Sequence, residues 1–323
     1  MSDVGRWFQK YLLQFVVLAI VIASMYALYP NFHVETSIER IMPLGVVAAG
    51  LAVTMIAGEF DLSIASMAAF SGALTIWLSP IGLIPALLIA IVVGTLLGMV
   101  QGWAIARLGI SSLVFTIGTL ILFRGLTWVV TSGVSIRVSD VKSTDVFRVD
   151  ILKFLSPLSL TGIVIFILLG IFLAYTRWGR EIYALGGARN EAIAAGVRYK
   201  RGMMVAFGIS GGLGAVGGGM TSALNGSASP TAFGSLLLGA LAVVLVGGIS
   251  LSGGRGTMVN VFLGFAIIAI LSAGLAGMGA KAFVAELFTG VLLLVVLLFD
   301  YLIRTLSERD RKKRLKKVAI STA

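Results

Sequence analysis

The sequence predicts an all-α, polytopic membrane protein with about ten transmembrane helices (8–10) and no soluble domain. Three observations predict it. Of 323 residues, 58% are hydrophobic and only 12% are charged, against roughly 25% charged in a soluble domain. Apolar runs approaching the ~20 residues needed to span a bilayer recur along the whole chain. The 40 glycines are small residues that let membrane helices approach closely.

The elements follow in order. Arg6 and Lys10 precede the run 11–29, and no clear small-residue cleavage site follows, so it reads as a retained first helix. Runs 41–57 and 62–78 flank the hexapeptide Gly58-Glu59-Phe60-Asp61-Leu62-Ser63. Run 81–106 stops at Arg107, and 112–131 contains Arg124. A polar stretch of mixed charge, 132–157, leads to 159–176. The segment 177–202 carries six basic and two acidic residues and precedes the glycine-rich run 203–223. Runs 235–250 and 257–275 are separated by a glycine-rich turn, and 284–303 meets a basic tail, 304–323. The whole chain, 1–323, reads as one transmembrane domain.

Charge sets the orientation. With the N-terminus inside, 18 of the 25 Lys and Arg residues lie inside and six outside, with Arg124 in a span. This is the positive-inside bias, and it places both termini in the cytoplasm. Eight of the basic residues fall in 304–317, so the net charge of +11 is a membrane flank suited to anionic lipid headgroups. The charge is no reason to expect nucleic acid. The same count means that 41–57 and 62–78 either both span or both re-enter from one side, because a single broken traverse would put the basic tail outside.

Composition excludes much chemistry. There is no cysteine, so thiol and zinc-thiolate sites are absent, and His33 is the only histidine. No Gly-Lys-Ser/Thr closes a phosphate loop anywhere, so the chain does not bind ATP by that route. No catalytic or metal site is expected. What stands out is polar residues among apolar ones. Carboxylates placed in or near a bilayer are costly and usually functional. Glu59, Asp61 and Ser63 are therefore candidate pathway or gating residues, with Arg124 and with Asn225 just beyond the run 203–223. A central arginine needs a partner, and Asp61 and Glu59 are the nearest by chemistry.

Two further segments stand out, one as a surface that needs a partner and the other as a tight cytoplasmic turn anchored by Arg255 that could also meet a cytoplasmic partner. Asn190 can cap a short helix over 191–195, and Gly196 can end it. Five helical residues are unstable alone in water, so that helix needs something to dock on. The turn Ser252-Gly253-Gly254-Arg255-Gly256 joins two apolar runs. There is also an internal echo. Leu51-Ala52-Val53 leads to Gly58 and Asp61-Leu62-Ser63, as Leu241-Ala242-Val243 leads to Gly248 and Ser250-Leu251-Ser252.

Four stretches in order carry a family resemblance. Gly58–Ser63 resembles a Gly-Ile-Asp-Leu-Ser stretch, with Glu59 where a small or neutral residue is usual. Phe123-Arg124-Gly125 resembles a Phe-Arg-Gly segment. Thr176–Arg180 through Ala194–Val197 resembles the main cytoplasmic loop, and Gly247–Thr257 is the closest match. Together, over about residues 35–303, they resemble the permease subunit of ribose-type ABC importers, a family that includes ribose, xylose, arabinose and galactose permeases. The resemblance implies a multi-pass protein of the bacterial inner membrane that binds no cofactor, with ATP used by a partner ATPase subunit. A periplasmic sugar-binding protein and a second permease subunit, identical or paralogous, are the other implied partners. Arg189, Asn190, Glu191, Ala192, Ala194, Ala195 and Gly196 would form the ATPase-coupling segment. Other solutes (a nucleoside, a polyol, a branched-chain amino acid) and a proton-coupled secondary transporter using Glu59 or Asp61 are the alternatives.

Overall fold

A computed structural model describes residues 3–29, 34–147, 156–281 and 283–298. His33, the end of the run 284–303 and the tail 304–323 lie outside the described residues. The helices are α1 (Asp3–Leu28), α2 (Val34–Ile56), α3 (Ile64–Trp77), α4 (Leu83–Leu108), α5 (Ser112–Thr131), α6 (Pro157–Tyr175), α7 (Arg177–Gly187), α8 (Arg189–Ala194), α9 (Tyr199–Asn225), α10 (Leu236–Val246), α11 (Met258–Gly277) and α12 (Phe283–Leu298). The protein is an all-α, polytopic membrane protein. Every one of the ten apolar runs holds a helix. Stretches of α1, α4, α5, α6, α9 and α11 are long and apolar enough to cross a bilayer, and shorter apolar helices occupy 41–56, 64–77, 236–246 and 283–298. One two-residue antiparallel ladder, β1 (Ile136–Arg137) with β2 (Ser227–Ala228), ties the polar stretch after α5 to the end of α9.

α9 is the axis of the bundle, packed against α2, α3 and α4. The sequence explains this through its smallest residues. Gly94, Gly98 and Gly102 recur every fourth position on α4 and face α9. A Cβ on Gly98 would sit 2.2 Å from the Phe207 carbonyl oxygen, and one on Gly102 would sit 2.3 Å from that of Met203. The two backbones therefore touch along three turns, which side chains larger than hydrogen would forbid. α5 differs: it packs chiefly on α3, and much of its remaining surface is open in the single chain.

The internal echo is also a structural one. At the end of α2, Gly58 N donates to Met55 O (3.0 Å) and Glu59 N to Thr54 O (2.9 Å). At the end of α10, Gly248 N donates to Leu245 O (2.9 Å) and Ile249 N to Val244 O (3.1 Å). Gly58 and Gly248 have φ of 79° and 87°, a left-handed turn that glycine alone adopts cheaply. Just beyond, Ser63 N reaches Asp61 Oδ1 at 3.0 Å and Ser252 N reaches Ser250 Oγ at 3.2 Å. Both ends carry the same cap and then the same side-chain turn. α3, which follows the first of these turns, has 14 residues, and α10, which precedes the second, has 11. At 1.5 Å per residue they cover about 21 and 16 Å of a ~30 Å hydrocarbon layer.

The close α4–α9 contact predicts an asymmetry between glycines. Gly98→Leu forces the backbones apart and should lower the thermal unfolding midpoint of the detergent-purified protein by several degrees, from overpacking of about 1–3 kcal/mol or more. Gly118→Leu on α5, where an added Cβ meets nothing within 4 Å, should leave that midpoint unchanged.

Candidate functional site

The stretch between α2 and α3 is irregular backbone inside a helical bundle. Such backbone is tolerated at membrane depth only where protein satisfies its polar groups. Here α5 does so. Phe60 N donates to Ser112 Oγ and Leu62 N to Thr116 Oγ1, both at 3.2 Å, while Thr116 Oγ1 donates to Phe60 O at 3.2 Å. Ser112 and Thr116 lie in the first turns of α5, so the break sits beside the start of that helix.

The two carboxylates of the break part company. Asp61, 2% exposed, is held by hydroxyls. It accepts from Ser63 Oγ at 2.6 Å and from Ser210 Oγ at 2.7 Å, in addition to Ser63 N. Ser63 Oγ also lies 3.1 Å from Gln101 Oε1, which accepts from Thr119 Oγ1 at 3.3 Å. This net joins the break to α4, α5 and α9. Glu59, 7% exposed, turns the other way. It accepts from Arg189 and, at 3.2 Å, from Tyr199 Oη, and the Arg189 guanidinium lies 5.1 Å from the centre of the Tyr199 ring.

Arg124 pairs with neither carboxylate, contrary to expectation. It lies eight residues beyond Thr116, about 12 Å further along α5. Phe123 and Thr127 occupy the buried face of that helix, Phe123 stacked on Phe70 with centroids 6.5 Å apart. Arg124 follows Phe123 by about 100° of helical turn and is exposed on the outer side. Asn225 is also apart. It ends α9, fifteen residues or about 22 Å from Ser210, and lines a cavity of about 650 Å³ among α2, α9, α10, α11 and α12. That cavity is mostly apolar, with Thr221, Asn225, Ser272 and Glu286 among its polar members. The five candidate pathway residues thus occupy three places: the break, the outer face of α5, and the far end of α9.

The 177–202 segment is two helices. Thr176 Oγ1 caps α7 by accepting from Gly179 N at 3.1 Å. α7 presents Ile182 and Leu185 inward. Burial, with Tyr11 nearby, pushes the Tyr183 phenol above its ordinary value. Tyr183 stays a donor, 2.7 Å from Gly256 O. Asn190 does not cap α8. α7 runs on to Gly187, which leaves Ala188 alone to make the corner; it is the cap residue, with φ −154° and ψ 80°, and Asn190 becomes the second helical residue. α8 therefore starts at Arg189, and Arg189 is the residue that reaches Glu59. Its end is as the glycine predicts. Gly196, φ 90°, donates to Ile193 O and Val197 N to Ala192 O, each at 3.0 Å. Only Ala192 of α8 is buried, while Asn190, Glu191, Ile193, Ala194 and Ala195 are exposed.

The glycine-rich turn completes the assembly. Gly254 N donates to Ile56 O, the last carbonyl of α2, at 2.8 Å. A Cβ on Gly253 would lie 2.6 Å from Gly58 Cα, one on Gly254 2.5 Å from Gly187 Cα, and one on Gly186 1.9 Å from Ile56 O. Three segments far apart in sequence meet backbone to backbone in one glycine knot: 56–58, 186–187 and 253–254. Ser252 and Arg255 stay exposed beside it, and Gly256 holds Tyr183. Beyond the turn, Thr257 and Asn260 form a reciprocal cap on α11, and Asn260 Nδ2 and Gln14 Nε2 both donate to Gly247 O at 2.9 Å. Sequence reasoning singled out all three segments but missed Gly186, Gly187, Tyr199, Gln101 and Ser210. The Gly-Gly pairs were the available signal for the first two. Nothing local marks the others. Among the described residues no three His, Asp or Glu side chains converge, so the site offers hydrogen bonds, charge and close packing.

With this geometry in view, residues 34–297 match, and the chain belongs to, the family described as branched-chain amino acid transport system / permease component. It is a transport component and not an enzyme. It is similar to the ribose import permease of Bacillus subtilis, 30% identical over 88% of this chain and 91% of that protein. It is also similar to the D-allose transport system permease of Escherichia coli K12, at 30% over 90% and 91%. The L-arabinose ABC transporter permease of Azospirillum brasilense is 28% identical over 88% and 86%. No solved structure matches significantly.

The Asp61 net yields a stability prediction. Asp61→Leu strands the Ser210 hydroxyl and the Ser63 amide, while Ser63 Oγ keeps Gln101 Oε1 as an acceptor, and should cost about 1–3 kcal/mol for each group left unpaired, read as a lower unfolding midpoint in detergent. Asp61→Asn, which keeps an acceptor, should lose less. Equal midpoints for the two would show that the hydroxyl net carries no stability.

Proposed function

We propose that the chain is the membrane permease of an ATP-driven importer for a monosaccharide. Its named relatives handle ribose, allose and arabinose, and each alignment covers most of both chains. The observation that carries the reading at the level of geometry is the glycine knot. It joins the end of α7, which leads into the short, exposed α8, to the end of α2 and to the turn between α10 and α11.

In this reading the α7–α8 end lies in the cytoplasm of the bacterial inner membrane with both chain termini, as the excess of basic residues there supports. An ATPase subunit seats α8 through Asn190, Glu191, Ile193, Ala194 and Ala195. A periplasmic binding protein delivers the sugar at the opposite end, and a second permease subunit completes the pathway. Arg124 and the open face of α5 would line that pathway, with Asp61 and Ser63 controlling its inner end. ATP acts only as far as it favours one arrangement of α8 over another, because a ligand shifts a conformational equilibrium by its differential affinity for the two states. A rigid knot turns movement of α8 into movement of the break, because backbones in contact cannot interpenetrate.

The reading is tested by purifying the chain with its co-expressed partners and measuring ATP-dependent uptake into proteoliposomes. The panel is ribose, allose, arabinose and xylose against a nucleoside, a polyol and a branched-chain amino acid. ATP- and binding-protein-dependent uptake of a monosaccharide is expected. Uptake driven by a proton gradient without partners, or of a non-sugar solute alone, would overturn it. Glu191→Arg and Ala194→Trp alter exposed positions and should reduce uptake and solute-stimulated ATP hydrolysis more than about tenfold without changing the permease's unfolding midpoint.

A further inference from the structure

We propose that Glu59, Arg189 and Tyr199 form a tension-bearing latch through which α8 pulls on the α2–α3 break. These are positioning residues for transport, not solute contacts. The proposal rests on the importer reading above and moves Glu59 from the pathway to the coupling machinery.

The argument starts from what the glycine knot cannot do. Contacts at van der Waals distance resist compression steeply but hold weakly in tension, because each atom pair is only feebly attractive. In the knot the end of α7, Gly186–Gly187, meets the other two segments by contact alone, the one hydrogen bond there running from Gly254 N to Ile56 O, so it passes on a push from α7 and α8 and, apart from the Tyr183 bond to Gly256 O, little of a pull. Alternating between two arrangements needs both. The Glu59–Arg189 pair is built for the second task. Charge-assisted hydrogen bonds are roughly twice as strong as neutral ones; burial of Glu59 strengthens the attraction, and water reaching the Arg189 side chain, 40% exposed, screens part of it.

Position supports the same role. Arg189 is the first residue of α8, which packs chiefly on α7. Of the two ion pairs among the described residues, Arg177–Glu181 lies within α7, and Arg189–Glu59 joins α8 to the break. Two residues from Glu59 is Asp61, the centre of the hydroxyl net. Between them Phe60 is bonded to Ser112 and Thr116 on α5. A displacement of Glu59 therefore reaches α4, α5 and α9 through one residue of backbone. Tyr199 steadies both partners, donating to Glu59 while its ring lies under the guanidinium. Arg189 Nε is buried without a hydrogen-bond partner among the described residues, and the guanidinium holds Glu59 through Nη2 alone.

Two measurements test the latch. In the complete complex in proteoliposomes, Glu59→Gln and Arg189→Met should each lower solute imported per ATP hydrolysed about tenfold. Arg189→Lys should recover most of that ratio. In the purified permease, amide hydrogen exchange over residues 189–197 should rise about tenfold in Glu59→Gln and remain at the wild-type level over α3 and α9. An unchanged import ratio in Glu59→Gln, unchanged exchange at 189–197, or exchange raised throughout the bundle would each overturn the proposal. If the wild-type complex imports none of the sugars, the importer reading fails, and the exchange measurement still decides whether the latch exists.

Discussion

Irregular backbone inside an apolar bundle must find hydrogen-bond partners, and the break at 57–63 finds them on α5 and within its own side chains. Much of the bundle's polar architecture follows from that requirement. Ser112 and Thr116 stand in the first turns of α5 because the break's amides need acceptors there. Asp61 is sustainable because Ser63 and Ser210 donate to it. Unpaired, any of these groups would carry the penalty of burial in a medium without water.

The second constraint is closeness. α4 and α9 meet along Gly94, Gly98 and Gly102, and the end of α7 meets two turns at Gly58, Gly186 and Gly253. The first contact fixes the bundle axis, and the second joins the surface helix α8 to the interior. Both use the same physics, removal of Cβ atoms so that backbones can touch. Their consequences differ because one joins two long parallel surfaces and the other joins the ends of short segments. The second is where motion and force can be exchanged between the membrane and whatever holds α8.

Much of the fold was legible in the sequence. Hydropathy marked all ten apolar helices, because burial in lipid demands apolar side chains around nearly the whole circumference of a spanning helix. Glycine positions marked the end of α8 at Gly196 and the paired ends at Gly58 and Gly248, because a left-handed residue there excludes most side chains. The candidate site was legible only as separate segments. Asn190 misled because capping preference is local, whereas the length of α7 decided where α8 begins. Arg124 misled because the cost of a buried charge says that a partner is needed and not which one; its place eight residues past Thr116 put Asp61 out of reach.

From the sequence alone came the class of protein, its helices, its charge bias and the polar residues that interrupt it. These are properties of composition and of periodicity along the chain, and solvent imposes them one segment at a time. Tertiary structure alone decided which carboxylate faces α8 and which is enclosed by hydroxyls. It also decided that two glycine pairs and Gly58, far apart in sequence, touch, and that Gln101, Tyr199 and Ser210 belong to the site. Those outcomes depend on rotation and depth of one helix against another. A residue's neighbours across a helix interface are set by the packing of the whole bundle, and no local pattern encodes them.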